Sequence, residues 1–339
     1  MVRLVIVIIF FSLSAFANNP KFVNLKGPFQ NFIQNAKNSD FETQLKFWQS
    51  DIESVIPDVY SDLLPGDGIS EDQHRRKLAA KWFPFIFQHS NAILSQFENF
   101  EKSSWPVTID LANKNPNVDF SEVRVIALPS LMMFDGMVTT INGHPVALFG
   151  MDFFELVTQN PKVISGADLI NNPPVIVAHE FTHVLHAKLS NSFEVQSLFD
   201  PLWKEGLAQV SSQMLVPNTD LENVLMERNL ASKCTSSQVV TWAGLYLVDS
   251  KTVSEEDLWD KYGKWFFINR WQILGVPKAG YCLGYYVVLK ALEDHSFDDL
   301  MKMNRNEYSN LVKKKLDEIS SLRTNSLHFE YRLKIKAVK

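Results

Sequence analysis

The stretch PPVIVAHEFTHVLHAKL, residues 173–189, constrains this chain more than any other. It sets His179, Glu180, His183 and His186 among Val, Ile, Leu, Ala and Phe. Imidazole and carboxylate groups are costly to bury unless a partner meets them. The stretch must therefore either satisfy these groups inside a packed core or turn them on a cation. Asn172 suits an N-cap and Pro173 the first helical position, which predicts a helix from there to about Ser190.

On such a helix His179 and His183 lie one turn apart and project from one face, as two ligands of a single zinc ion must. Glu180 is rotated by about 100° around the axis from His179. It can reach a water beside the metal without being a ligand. In 339 residues with 8 histidines, H-E-x-x-H arises by chance on the order of 0.01 times, so the pattern is a strong signal.

A third ligand is expected from the next helix, FDPLWKEGLAQVSSQML. Asp200 reads as its cap and Pro201 as its first position, which puts Glu205 in the second turn. Gly206 would let this helix approach the first one closely. His186 is a poorer ligand, because it lies about 10 Å along the axis from His179; it reads as a packing or supporting residue. The longer H-E-x-x-H-x-x-G-x-x-H pattern fails, since His186 stands where it requires glycine and Leu189 where it requires histidine. The predicted metal set is thus His179, His183 and Glu205, with Glu180 as general base.

The oxyanion formed in such chemistry needs a donor, and KAGYCLGYYVVLKALED offers two phenols. Gly280 and Gly284 share one face of the predicted helix, allowing it to press against another. Tyr281 and Tyr285 lie four apart on a neighbouring face. Both could equally be core tyrosines with satisfied hydroxyls. Tyr281 is preferred as the donor.

Elsewhere the chain reads as helical from about Phe29 to Glu101, with Pro84 expected to kink or divide a helix. A loop rich in Pro, Asn and Ser follows. EVRVIALPSL then reads as a strand, and GMVTTINGHPVALFG as a β-hairpin about Asn142-Gly143. The expected class is α+β, mostly helical, with a small sheet ahead of the histidine-bearing helix. The tail LHFEYRLKIK alternates like a strand, with a frayed terminus as the alternative.

With 46% hydrophobic residues the chain has ample core, and a net charge of -5 provides no field for a polyanion, so nucleic acid is not an expected partner. The N-terminus carries Arg3, an apolar run from Leu4 to Phe11, and Ala15-Phe16-Ala17, the pattern of an export signal cleaved after Ala17. No other segment is long enough to span a bilayer, so no membrane association is expected once the signal is removed. Cys234 and Cys282 would be either one disulfide or two buried thiols. The chain has no Asn-x-Ser/Thr sequon, which fits a bacterial envelope address, periplasmic or secreted.

HEFTH at 179–183, EGLA at 205–208 and GYCLGYY at 280–286 together resemble the gluzincin metallopeptidases, and within them the bacterial predicted zinc proteases. The resemblance covers about Asp135 to Leu292. It implies zinc, a zincin-like fold and hydrolysis of peptide bonds. Many gluzincins carry an aspartate four residues after the glutamate ligand to orient a histidine; here that residue is Gln209, an amide that raises ligand basicity less. The expected organisation is a signal peptide at 1–17, a helical region at 18–110, a zincin-like metallopeptidase domain at 111–325 and a tail at 326–339. The hairpin from about Gly136 to Gly150 would offer the substrate-binding edge. The alternatives are a catalytically silent peptide-binding protein on a peptidase scaffold, and a zinc hydrolase of an ester or cell-wall amide. Endo- or exopeptidase action and oligomeric state are not legible in the sequence.

Overall fold

Four short strands form one sheet among the described residues, and helices make up most of the rest. The computed structural model describes residues 18–64, 68–164, 167–190, 194–251, 254–267 and 273–322. The segments expected to be an export signal, 1–17, and a tail, 326–339, lie outside the described residues. No helix among those described is long and apolar enough to cross a membrane.

The strands are β1 (Lys21–Asn24), β2 (Arg124–Leu128), β3 (Gly136–Ile141) and β4 (His144–Gly150), in the order β1-β2-β4-β3. β1 and β4 run parallel to β2, whereas β3 runs antiparallel to β4. The hairpin turns at Asn142 and Gly143, both with positive φ (53° and 80°), the combination that a tight turn between twisted strands favours. β2 and most of β4 are buried, in keeping with their Val, Ile, Leu and Ala content. β3 closes the sheet on one side, so one row of its backbone groups has no neighbouring strand among the described residues.

The approach to β3 is fixed by a buried carboxylate. Asp152 accepts hydrogen bonds from Ser130 N (2.6 Å), Ser130 Oγ (2.9 Å) and Met132 N (3.0 Å). These bonds hold Leu131 and Met132 in the left-handed region, at φ 52° and 59°, where side chains larger than glycine are disfavoured. Burial pushes the Asp152 carboxyl up, and the donors around it partly offset this.

Beyond the sheet, the N-terminal helices pack an aromatic core. Phe32 lies edge-on to Trp48 at 5.3 Å between ring centroids and 5.4 Å from Phe83. Each such buried ring contributes roughly 1.5–3 kcal/mol by area alone. Tyr60 donates to the Pro129 carbonyl (2.6 Å), and Arg124 pairs with Asp58 (2.6 Å), so these helices are tied to the sheet. Pro84, expected to kink or divide a helix, does not divide it. The helix Glu71–Gln88 runs through Pro84 and ends four residues later. Phe83, Ile86 and Phe87, buried on either side of the proline, outweigh the one hydrogen bond it removes.

Three helices carry the residues singled out by the sequence: the histidine helix Pro173–Ser190, the glutamate helix Phe199–Leu215 and the tyrosine helix Ala279–Ala291. Asn172 caps the first through its carbonyl, which accepts from Ile176 N at 3.1 Å, while its side chain donates to Asn223 Oδ1 at 2.8 Å. Asp200 is not the cap of the glutamate helix. That helix begins at Phe199, and the Asp200 carboxylate turns back to accept from Gln196 N and Ser197 N, both at 2.7 Å. Gly206 does face a close helix, but it is the tyrosine helix rather than the histidine helix. A Cβ on Gly284 would lie 2.6 Å from the Leu202 carbonyl, and one on Gly206 would run into Gly284. Cys234 and Cys282 form a disulfide with Cα atoms 6.0 Å apart, linking the tyrosine helix to the chain before Thr235.

Candidate metal centre

The histidine helix is apolar nearly all round and is buried from Val175 to His179. β3 packs on one side of it and the glutamate helix on another. This placement brings three donors to one point. His179 Nε2 lies 3.0 Å from Glu205 Oε2, His183 Nε2 lies 3.2 Å from His179 Nε2, and His183 Nε2 lies 3.7 Å from Glu205 Oε2. Four ligands at about 2.0–2.1 Å around a tetrahedral ion are separated by about 3.3 Å, so the spacing of these three fits one small divalent cation. Two neutral imidazoles and a carboxylate are also the donor types that such an ion accepts in a hydrolytic site.

The electrostatics of Glu205 agree with this. Burial pushes Glu205 up, but the charges and hydrogen bonds of His183 and His179 outweigh it and hold the carboxyl well below the usual carboxylate range. For His183, burial favours the neutral ring, and Glu205 beside it overcomes that and raises its pKa. Glu205 is therefore an anion, the form in which a carboxylate can hold a cation.

Glu180 does not join this group. It lines the same pocket from the next position around the helix, and burial raises its pKa although both histidines oppose the shift. Gly136, the first residue of β3, sits directly against it. A Cβ there would lie 2.9 Å from Glu180 Cγ and 2.7 Å from Ile176 Cγ2. Gly136, Met137 and Val138 form the strand wall of the pocket.

Of the two tyrosines, the structure brings only Tyr281 to the pocket. Its ring lies 6.3 Å from that of His179, with the Lys278 ammonium 4.5 Å from its centroid on another side. Burial pushes its phenol well up, so it is a donor at neutral pH. Tyr285 instead donates to Gln213 Oε1 at 2.7 Å. A further phenol, Tyr262, reaches the pocket from the helix Glu255–Phe266, and burial raises its pKa as well. Sequence reasoning missed it, because EEDLWDKYGKWFF holds several aromatics and no spacing singles one out.

Lys204 was also missed. It lines the pocket beside Glu205, and burial lowers its pKa to about 8. A signal existed: Pro201, Lys204, Glu205 and Ala208 stand at i, i+3, i+4 and i+7, one helical face. His186 lines the pocket one turn beyond His183, and burial lowers its pKa to about 3. Gln209 is fully buried, yet no hydrogen bond joins it to His179. Both its amide atoms and His179 Nδ1 lack partners among the described residues.

Residues 163–313 match the model of a family described as "Predicted Zn-dependent protease (DUF2268)". The matched segment, somewhat under half of the chain, contains His179, Glu180, His183, Glu205, Tyr262 and Tyr281, and leaves out β3. No curated protein and no solved structure matches the chain.

Proposed function

We propose that the chain is an exported zinc-dependent peptidase of zincin-like, gluzincin type, with His179, His183 and Glu205 as the metal ligands. The convergence of these three donors within 3.0–3.7 Å carries the proposal. The family match supports zinc and proteolysis as a class. A zinc ion held by these three residues would supply Lewis acidity, the chemistry that lets water act as a nucleophile at neutral pH and polarises a peptide carbonyl.

The protein's own residues do the rest. Glu180, raised by burial and adjacent to the donors, takes the proton of the attacking water and passes it to the leaving amine. The hydroxyl of Tyr281 or Tyr262 donates to the oxyanion as negative charge develops on the carbonyl oxygen. The edge of β3, which has no neighbouring strand among the described residues, aligns an extended peptide beside Glu180, giving backbone hydrogen bonds that do not depend on sequence. The N-terminal signal and the Cys234–Cys282 disulfide both suit an oxidising compartment outside the cytoplasm.

Chelation is the direct test. The mature protein is expected to cleave members of a mixed peptide library, to stop after treatment with a zinc chelator and dialysis, and to resume with added zinc. Cleavage that persists with zinc removed rules out the mechanism. A second measurement addresses the strand wall. Because a methyl group at Gly136 would crowd both Ile176 and Glu180 and disturb their placement against β3, Gly136→Ala is expected to lower kcat/KM by roughly ten- to a hundredfold. Its zinc content should stay that of the wild type. An unchanged kcat/KM would show that Glu180 needs no such fixed position.

A further inference from the structure

Among the described residues two aromatic side chains are exposed, Trp259 at 49% and Phe267 at 44%. Both touch the same residue. The Trp259 ring stands edge-on to that of Tyr262 at 5.5 Å between centroids, and the Phe267 ring does so at 5.1 Å. Tyr262 lines the pocket that holds the metal donors. Burial raises the pKa of its phenol and the Glu205 and Glu180 carboxylates add to the rise, so its hydroxyl end is the one turned toward the metal centre. The exposed rings thus continue the wall of the pocket, unlike apolar residues scattered singly over a surface, which need no explanation.

The helix Glu255–Phe266 holds these rings in place. At its C-terminal end Trp265 and Phe266 are buried, and Trp265 Nε1 donates to Asp249 at 2.9 Å. Phe266 lies so close to the tyrosine helix that a Cβ on Gly280 would be 2.5 Å from its ring. Trp259, Tyr262 and Phe266 stand at i, i+3 and i+7, on one face of their helix. That face is covered at Phe266, opens on the pocket at Tyr262 and is half exposed at Trp259, one turn further out. Rings fixed in this way offer a partner a large contact area at little cost in conformational entropy.

We infer that Trp259, with Tyr262 and Phe267, forms a specificity shelf at the mouth of the pocket that receives a large apolar side chain of the peptide substrate, Phe, Tyr, Trp or Leu. This deepens the peptidase proposal and rests on it. An extended peptide advances about 3.3 Å per residue, so a side chain reaching one ring beyond Tyr262 belongs to a residue within about three positions of the scissile bond. Edge and face contacts are the geometry in which aromatic groups pair, and neither Trp259 nor Phe267 carries a charge. The acids of the same helix, Glu255, Glu256 and Asp257, are exposed in its first turn, where the helix dipole favours them. Water and salt screen them, which makes them weak partners for a substrate cation.

The test measures binding with zinc-loaded Glu180→Gln protein, which suppresses turnover, and cleavage with the wild type. In an alanine-rich peptide one residue at a time is replaced by Phe, Leu, Glu or Arg. At a position within about three of the cleaved bond, Phe is expected to bind about ten- to a hundredfold tighter than Ala, the discrimination that one large apolar contact supplies. The same ratio is expected in kcat/KM. Leu should fall between Phe and Ala, and Arg should not exceed Leu. Trp259→Ala should bring the Phe-to-Ala ratio to within about threefold of one, whereas Trp259→Phe should keep most of it. Phe267→Ala should lower the ratio by a smaller factor. Zinc content at the wild-type level in all three variants shows that the fold and the metal centre are intact.

Equal binding of the Phe and Ala peptides at every position overturns the shelf, as does a ratio that Trp259→Ala leaves unchanged. So does a preference for Arg over Phe. Binding to phosphatidylcholine vesicles that Trp259→Ala abolishes, with no ratio among the peptides, also overturns it and assigns the ring to a membrane surface. Cleavage without preference for a large apolar residue removes the shelf and leaves the peptidase standing. Phe-selective binding that depends on Trp259, with no cleavage by the wild type, removes the peptidase and leaves the shelf.

Discussion

Glu180→Gln is expected to leave zinc bound at the wild-type level and to lower kcat by about 10²- to 10⁴-fold, the usual contribution of a positioned general base. The substitution is nearly isosteric, and Glu180 stands outside the group of three donors, so neither the fold nor the ligand set has reason to change. What it removes is proton affinity at one point in the pocket wall. Metal content and turnover measured on the same preparation make the test. A Glu180→Gln protein that turns over at the wild-type rate would falsify the assignment of the base.

Glu205→Ala is expected to behave in the opposite order, losing the metal first and activity because of it. It leaves two imidazoles where three donors met, and it removes the anion that holds His183 in place at 3.7 Å. Zinc affinity should weaken by well over tenfold, the low end of the effect of deleting even a group that only supports a ligand. Competition with a chromophoric chelator reads this without reference to catalysis. Retention of zinc at wild-type affinity would show that the carboxylate is an ordinary ion-pair partner of the histidines. The two variants together separate a catalytic centre from a structural one, since only the former loses turnover with its metal in place.

Several features of the site could be read before folding was considered. The juxtaposition of His179 and His183 follows from the helical period alone, and so does the offset of Glu180 from them. The hairpin at Asn142-Gly143 is equally local, because those two residue types accept the positive φ that the turn requires. Other features depended on neighbours that the chain does not announce. A glycine at 206 says that some backbone comes close, but not which one, and the partner is the tyrosine helix. A proline such as Pro84 divides a helix only where nothing outweighs the bond it removes, and here the buried aromatics do. The alternation that marks a strand cannot be recognised in the four residues of β1, which is a strand because β2 lies beside it.

The sequence by itself determined the donor types, the pairing of two of them on one helix, and the carboxylate that accompanies them. Spacing along a helix is a property of the backbone and needs no third dimension beyond it. The tertiary structure alone decided that Glu205 points at those histidines, that Tyr281 and Tyr262 share their pocket while Tyr285 does not, and that Lys204 stands inside it. Those positions come from the packing of separate helices, where the burial of many apolar side chains fixes the angle at which each helix meets the next. No single residue encodes that angle, so the chemistry was legible in the chain and its arrangement only in the fold.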